Sequence, residues 1–112
     1  MVLFFHANPL FERADPEPGF VPFLDDLARL LERYSGPVLA VHGDTHRFQF
    51  NRPLKRSDRA GGGNGAARLW RLEVPGSPFL GGVWVAVTDD PTHPFEIEVV
   101  YLRADERFDA GG

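Results

Sequence analysis

Nine residues, Val38-Leu39-Ala40-Val41-His42-Gly43-Asp44-Thr45-His46, constrain the fold more than any other stretch. Four apolar residues run directly into a tight polar turn. A short continuous apolar run bounded by turn signals is the pattern of a strand covered on both faces. In open α/β sheets, ligands collect just beyond the carboxyl ends of such strands. Here that position carries His42, Asp44 and His46 around Gly43. A glycine there permits a sharp bend or the close approach of a ligand.

The flanks complete a unit around this strand. Residues 1–5 are apolar, and residues 2–6 read as a core strand. A domain rarely opens on a buried strand with no lead-in, so the chain is expected to begin in the middle of a fold. The same residues carry no basic region and are followed by His6 and Pro9, so they are neither a signal peptide nor a membrane span. The compartment stays open, with the cytoplasm as the default because this chain carries no targeting signal. Residues 7–19 are rich in turn formers and read as a loop. Residues 20–34 read as a helix: Phe20, Phe23, Leu24, Leu27, Leu30 and Leu31 recur at helical spacing. Pro22 suits the first turn, Asp25 and Asp26 form a charge pair near the helix N-terminus, and Ser35-Gly36-Pro37 stops the helix. Strand, helix, strand predicts a right-handed βαβ unit with parallel neighbours. His6 and His42 would then emerge at one edge of one sheet.

The second half has a different texture. Residues 47–51 alternate and suggest a short strand. Residues 52–67 read as a mobile polar loop that ends in a glycine run. Three strand-like runs follow, 69–74, 83–88 and 95–102, with alternating apolar residues. They predict an antiparallel meander with one wetter face. The expected fold class is therefore α/β: a βαβ unit followed by antiparallel strands, one domain over 1–104 with a flexible tail over 105–112.

Composition narrows the chemistry. The 112 residues include no cysteine, which excludes disulfides, thiolate metal sites and cysteine nucleophiles. A net charge of −4 argues against a nucleic-acid partner. Trp70 and Trp84 read as core or layer-packing aromatics rather than a base-stacking platform, because the charge balance is acidic. Imidazole nitrogen together with carboxylate oxygen suits Zn, Fe, Mn or Ni better than Ca or Mg. His42, Asp44 and His46 alternate and would share a face in extended backbone, subject to the turn at Gly43. His6, at the end of the neighbouring strand, stands where a further ligand would have to be.

Residues Val38 to Phe48 resemble the last signature of calcineurin-like metallophosphoesterases, Gly-His-x-His after a hydrophobic strand. Phe4-Phe5-His6-Ala7-Asn8-Pro9 is similar to the family's upstream segment, where a single ligand histidine ends the preceding strand. The resemblance implies half of a four-layer α/β/β/α sandwich, with the strands after residue 66 as its closing β layer. By position, His6 matches the family's penultimate metal-ligand histidine, and His46 matches the second signature histidine, also a metal ligand. Asp44 stands where the family has its first signature histidine, either as a metal ligand or as a group orienting His46. His42 has no family role and reads as a strand-end group or one that orients a ligand. Arg47 would meet a phosphate oxygen or remain solvated.

The reaction implied is hydrolysis of a phosphoester by metal-activated water, with Asp44 and His46 in the catalytic role. The cofactor implied is a divalent metal, Mn, Fe or Zn, two in a complete site. The family's earlier motifs, Asp-x-His, Gly-Asp and Gly-Asn-His, have no counterpart here. Asp58, Asp89 and Asp90 lack that context, and Gly63-Asn64-Gly65 lacks the histidine. A two-metal site holds its ions roughly 3.5–4 Å apart across a bridging group. The chain is therefore expected to be the C-terminal part of such a hydrolase, weakly active or inactive alone. Its expected partners are a phosphoester substrate and either a missing N-terminal half or a second copy bound through an exposed sheet face. No membrane partner is expected. Two rivals stand beside this: a non-catalytic α/β interaction or scaffold domain, and a small single-metal-binding protein complete at this length.

Overall fold

The structure, a computed structural model, describes residues 1–54, 67–76 and 81–101. Most of the loop expected over 52–67, part of the turn over 75–78 and the tail over 105–112 lie outside the described residues. The elements in order are β1 (Val2–Phe4), a 3-10 turn (Pro18–Phe20), α1 (Val21–Arg33), β2 (Val38–His42), β3 (Gln49–Asn51), β4 (Leu69–Glu73), β5 (Gly81–Val87) and β6 (Phe95–Tyr101).

α1 forms as its spacing predicts. Leu24, Leu27 and Leu31 bury one stripe, and Pro22 occupies the first turn, where its missing N–H costs nothing. The helix stops when Tyr34 leaves helical geometry, its N–H still donating to the Leu30 carbonyl at 2.8 Å. The Arg68 guanidinium, just before β4, donates to the carbonyls of Leu31 and Tyr34 and so caps the helix C-terminus. Asp25 and Asp26 do not form the expected helix N-terminal pair. The first turn holds no acidic residue, and Asp26 pairs with Arg29 at 2.5 Å.

The main sheet has the order β1-β2-β4-β3. β1 runs parallel to β2, as the βαβ reading requires, in the register Val2↔Leu39 to Phe4↔Val41. All five residues of β2 are buried. One face of the sheet, with Val38, Ala40 and Leu69, packs against Leu24, Leu27, Leu31 and Phe11. The other face, with Leu39, Val41 and Leu72, packs against Phe95, Val83, Val85 and Ile97 of the antiparallel β5-β6 pair. The described chain is thus a small α/β fold of helix, mixed sheet and hairpin in three layers. Burying each such leucine contributes about 1.5–3 kcal/mol.

The expected meander is corrected in one respect. β4 does not continue into β5; it lies in the main sheet, parallel to β2 and antiparallel to β3. The cause is burial on both faces. Trp70 and Leu72 face the hairpin as the alternation predicts. The intervening Leu69, Arg71 and Glu73 are also buried, although the two charged residues read as a wet face. β5 and β6 keep the expected alternation, with Glu96 and Glu98 exposed, but Trp84, expected as a packing aromatic, is exposed as well because it lies on the hairpin face turned away from the main sheet. No helix among the described residues is long and apolar enough to cross a membrane.

Candidate functional site

The parallel strands end together. Beyond β1, the Phe5 N–H donates to the Val41 carbonyl and the Gly43 N–H to the His6 carbonyl, each at 3.0 Å. Beyond β4, the Val74 N–H donates to the His42 carbonyl at 3.0 Å. Ladder pairing therefore continues past the strand ends, and His6, the 43–46 turn and residues 74–76 share one rim. His6, Asp44, His46 and Arg47 are exposed there.

The backbone of the turn differs from expectation. Gly43 is not in the left-handed region, and a Cβ there would meet the His6 carbonyl only at an ordinary 3.9 Å. Asp44 (φ 87°) and His46 (φ 59°) carry the left-handed geometry instead. Asp and His tolerate it better than most residues, but it still costs of order 1–2 kcal/mol each. Such backbone persists only where its surroundings impose it.

Those surroundings are specific. The Asn8 N–H donates to Asp44 Oδ2 at 3.1 Å, and Asn8 Nδ2 donates to Thr45 Oγ1 at 3.3 Å. Asn8 is itself fixed, its Oδ1 accepting from the Leu10 N–H at 2.9 Å. The loop after His6 is thereby tied to the turn after β2. From the other side, buried Glu73 accepts hydrogen bonds from the Thr45 hydroxyl, the Arg47 N–H at 3.3 Å and Gln49 Nε2 at 2.6 Å. Burial pushes the Glu73 carboxyl up. The bonds from Thr45, Gln49 and Arg47 outweigh that and hold it below the usual carboxylate range. The His46 ring lies over Gly76, where a Cβ would approach its Cδ2 to 2.7 Å.

His42 is placed apart from the rim. It is 1% exposed, on the helix-facing side of the sheet, with its ring stacked on Phe5 at 5.5 Å. Its Nδ1 donates to the Gly43 carbonyl at 3.0 Å, and its buried Nε2 has no partner among the described residues. Burial, helped by the Arg71 charge, pushes its pKa below the ordinary imidazole value. Below it, buried Arg71 donates to Asn51 Oδ1 at 3.1 Å and to the Glu12 carboxylate.

Sequence reasoning singled out His6, Asp44 and His46, which lie on the rim, and did not single out the residues around the turn, Asn8, Thr45, Glu73 and Gly76. The available signal was Arg71 and Glu73 inside a strand whose alternate residues are all apolar. Among the described residues, no three His, Asp or Glu side chains gather closely enough to hold a metal ion. The rim offers its donors from one side without enclosing a cation, and the described residues alone do not fit one. No protein-family model, no curated protein and no solved structure matches this chain, so the family resemblance rests on the quoted residues alone.

Proposed function

We propose that this chain is the C-terminal part of a metal-dependent phosphoesterase of the calcineurin-like kind, weakly active or inactive alone. The observation that carries the reading is the backbone pairing of His6 with Gly43, which brings both candidate ligand segments to the carboxyl end of parallel strands. Left-handed backbone at Asp44 and His46, held by buried Asn8 and Glu73, supports it, because imposed strain clusters at functional sites. The helix, sheet and hairpin layers are compatible with half of an α/β/β/α sandwich. In this reading His6, Asp44 and His46 supply part of the ligand set for divalent Mn, Fe or Zn. The rest comes from a part of the site outside these residues. A divalent metal held there would supply water activated for phosphoester hydrolysis, and Arg47 stands exposed on the same rim.

A second reading, a non-catalytic interaction domain, is favoured by a different observation. An apolar cleft of about 400 Å³ opens between the sheets and is lined by Val2, Phe4, Val41, Leu72, Val83 and Val85, among others. Phe4 is 77% exposed on β1, which ends the sheet. Metal content after purification from Mn-, Fe- and Zn-supplemented medium, with hydrolysis of bis(p-nitrophenyl) phosphate, separates the two. The first reading predicts metal above trace in the wild type, depleted in the His6→Ala/His46→Ala variant, with weak hydrolysis at most. Equal trace metal in both proteins sinks it and leaves the second. One tightly held ion per chain would instead favour a self-sufficient single-metal protein.

A further inference from the structure

We propose that Glu73 is the positioning residue of the rim: one buried carboxylate, by accepting from Thr45, Arg47 and Gln49, holds residues 45–49 so that Asp44 and His46 keep their left-handed backbone. The importance of that geometry for function rests on the reading above; the geometry itself does not.

The argument begins with what the segment lacks. Between the Gly43 pairing at the end of β2 and the start of β3, residues 44–48 belong to no strand. Left-handed Asp44 and His46 would relax in a free loop, since each costs energy relative to extended or helical backbone. Something must over-determine them. The donors to Glu73 come from alternate residues, Thr45, Arg47 and Gln49. Left-handed His46 bends the chain between Thr45 and Arg47, and one carboxylate at the end of β4 accepts from all three. An ionised carboxylate is the only side chain with enough acceptor sites and no donor to spoil the match. Such charge-assisted bonds are about twice as strong as neutral ones. The register His42↔Glu73 fixes the carboxylate beside the strand that launches the turn. Asn8 secures the opposite side through Asp44 and Thr45. Thr45 is thus gripped from both sides, between the two left-handed residues.

Hydrogen exchange by NMR tests this without any metal. In Glu73→Gln, one acceptor oxygen must serve three donors, and the Arg47 amide is expected to lose about tenfold or more of its protection. Sheet amides such as those of Val41 and Leu72 should not change. Should Glu73→Gln fold poorly, Thr45→Val deletes one donor and leaves the carboxylate in place, with Thr45→Ser restoring the hydroxyl. The proposal expects loss of Arg47 protection and shifted His46 ring signals in Thr45→Val, and recovery in Thr45→Ser. Unchanged Arg47 exchange and unchanged His46 signals in both Glu73→Gln and Thr45→Val would overturn it. Adding Mn²⁺ to the wild type reads the phosphoesterase reading separately. If no broadening appears at His6 and His46, that reading falls, and the exchange result still decides the role of Glu73.

Discussion

Strain at the rim sits on the residues whose side chains carry the proposed chemistry. Gly43 was the position where sequence suggested conformational freedom, yet Asp44 and His46 take the left-handed backbone. His46→Gly should relieve about 1 kcal/mol of that strain and leave the fold at least as stable in urea. A destabilised His46→Gly protein would mean that the imidazole packs for stability rather than for use. Acidity acts here too. Burial pushes His42 below its ordinary 6.5, so the unfolded chain takes up that proton more readily. Its contribution is complete above about pH 6.5 and is lost as pH falls. The hydrogen-bonded Glu73 lies below its ordinary 4.5, so its contribution is complete above that value and is lost on further acidification. Both signs agree. Stability should be flat above about pH 6.5 and fall in two stages below it, with His42→Phe removing the first. A urea midpoint that rises between about pH 7 and pH 5 would contradict this assignment.

Elements whose buried positions are apolar were legible in the sequence, and the strand that buries charged residues was not. The stripe of α1, the continuous apolar run of β2 and the alternation of β5 and β6 each state their partner layer directly. β4 hides its role because Arg71 and Glu73 look solvated while Arg71 is 0% exposed. Their partners, Glu12 and residues 45–49, are distant in sequence, and pairwise polar satisfaction leaves no periodic trace. For the same reason the exposed donors His6, Asp44 and His46 could be listed from their types, while Asn8 and Glu73 could not. Glu12 offers a measurement at this scale. It is half-exposed, so Glu12→Ala would ordinarily change stability little. Here it leaves the Arg71 guanidinium buried without its counter-ion, and a loss of about 3 kcal/mol is expected. Urea unfolding of Glu12→Ala within about 0.5 kcal/mol of wild type would show that the pair contributes nothing.

At the scale of the molecule, two strand edges flank one apolar opening. Among the described residues β1 ends the main sheet, β5 is paired only with β6, and neither strand carries a charge. Natural edges are usually blunted with charges, prolines or bulges. Light scattering should therefore show mass rising with concentration, and Phe4→Lys should suppress the rise. A monomer at every concentration in the wild type would refute an open half-sandwich. The central claim concerns the rim: that His6 and the 43–46 turn, paired through the Gly43 N–H, act on one ion together. Calorimetric titration of Mn²⁺ into wild type, His6→Ala, His46→Ala and the double variant tests that most directly. Weak binding in the wild type, lost about tenfold in each single variant and no further in the double, is the predicted result, because ligands sharing an ion are not additive. Binding by His6→Ala equal to wild type, or none by any of the four proteins, would contradict it.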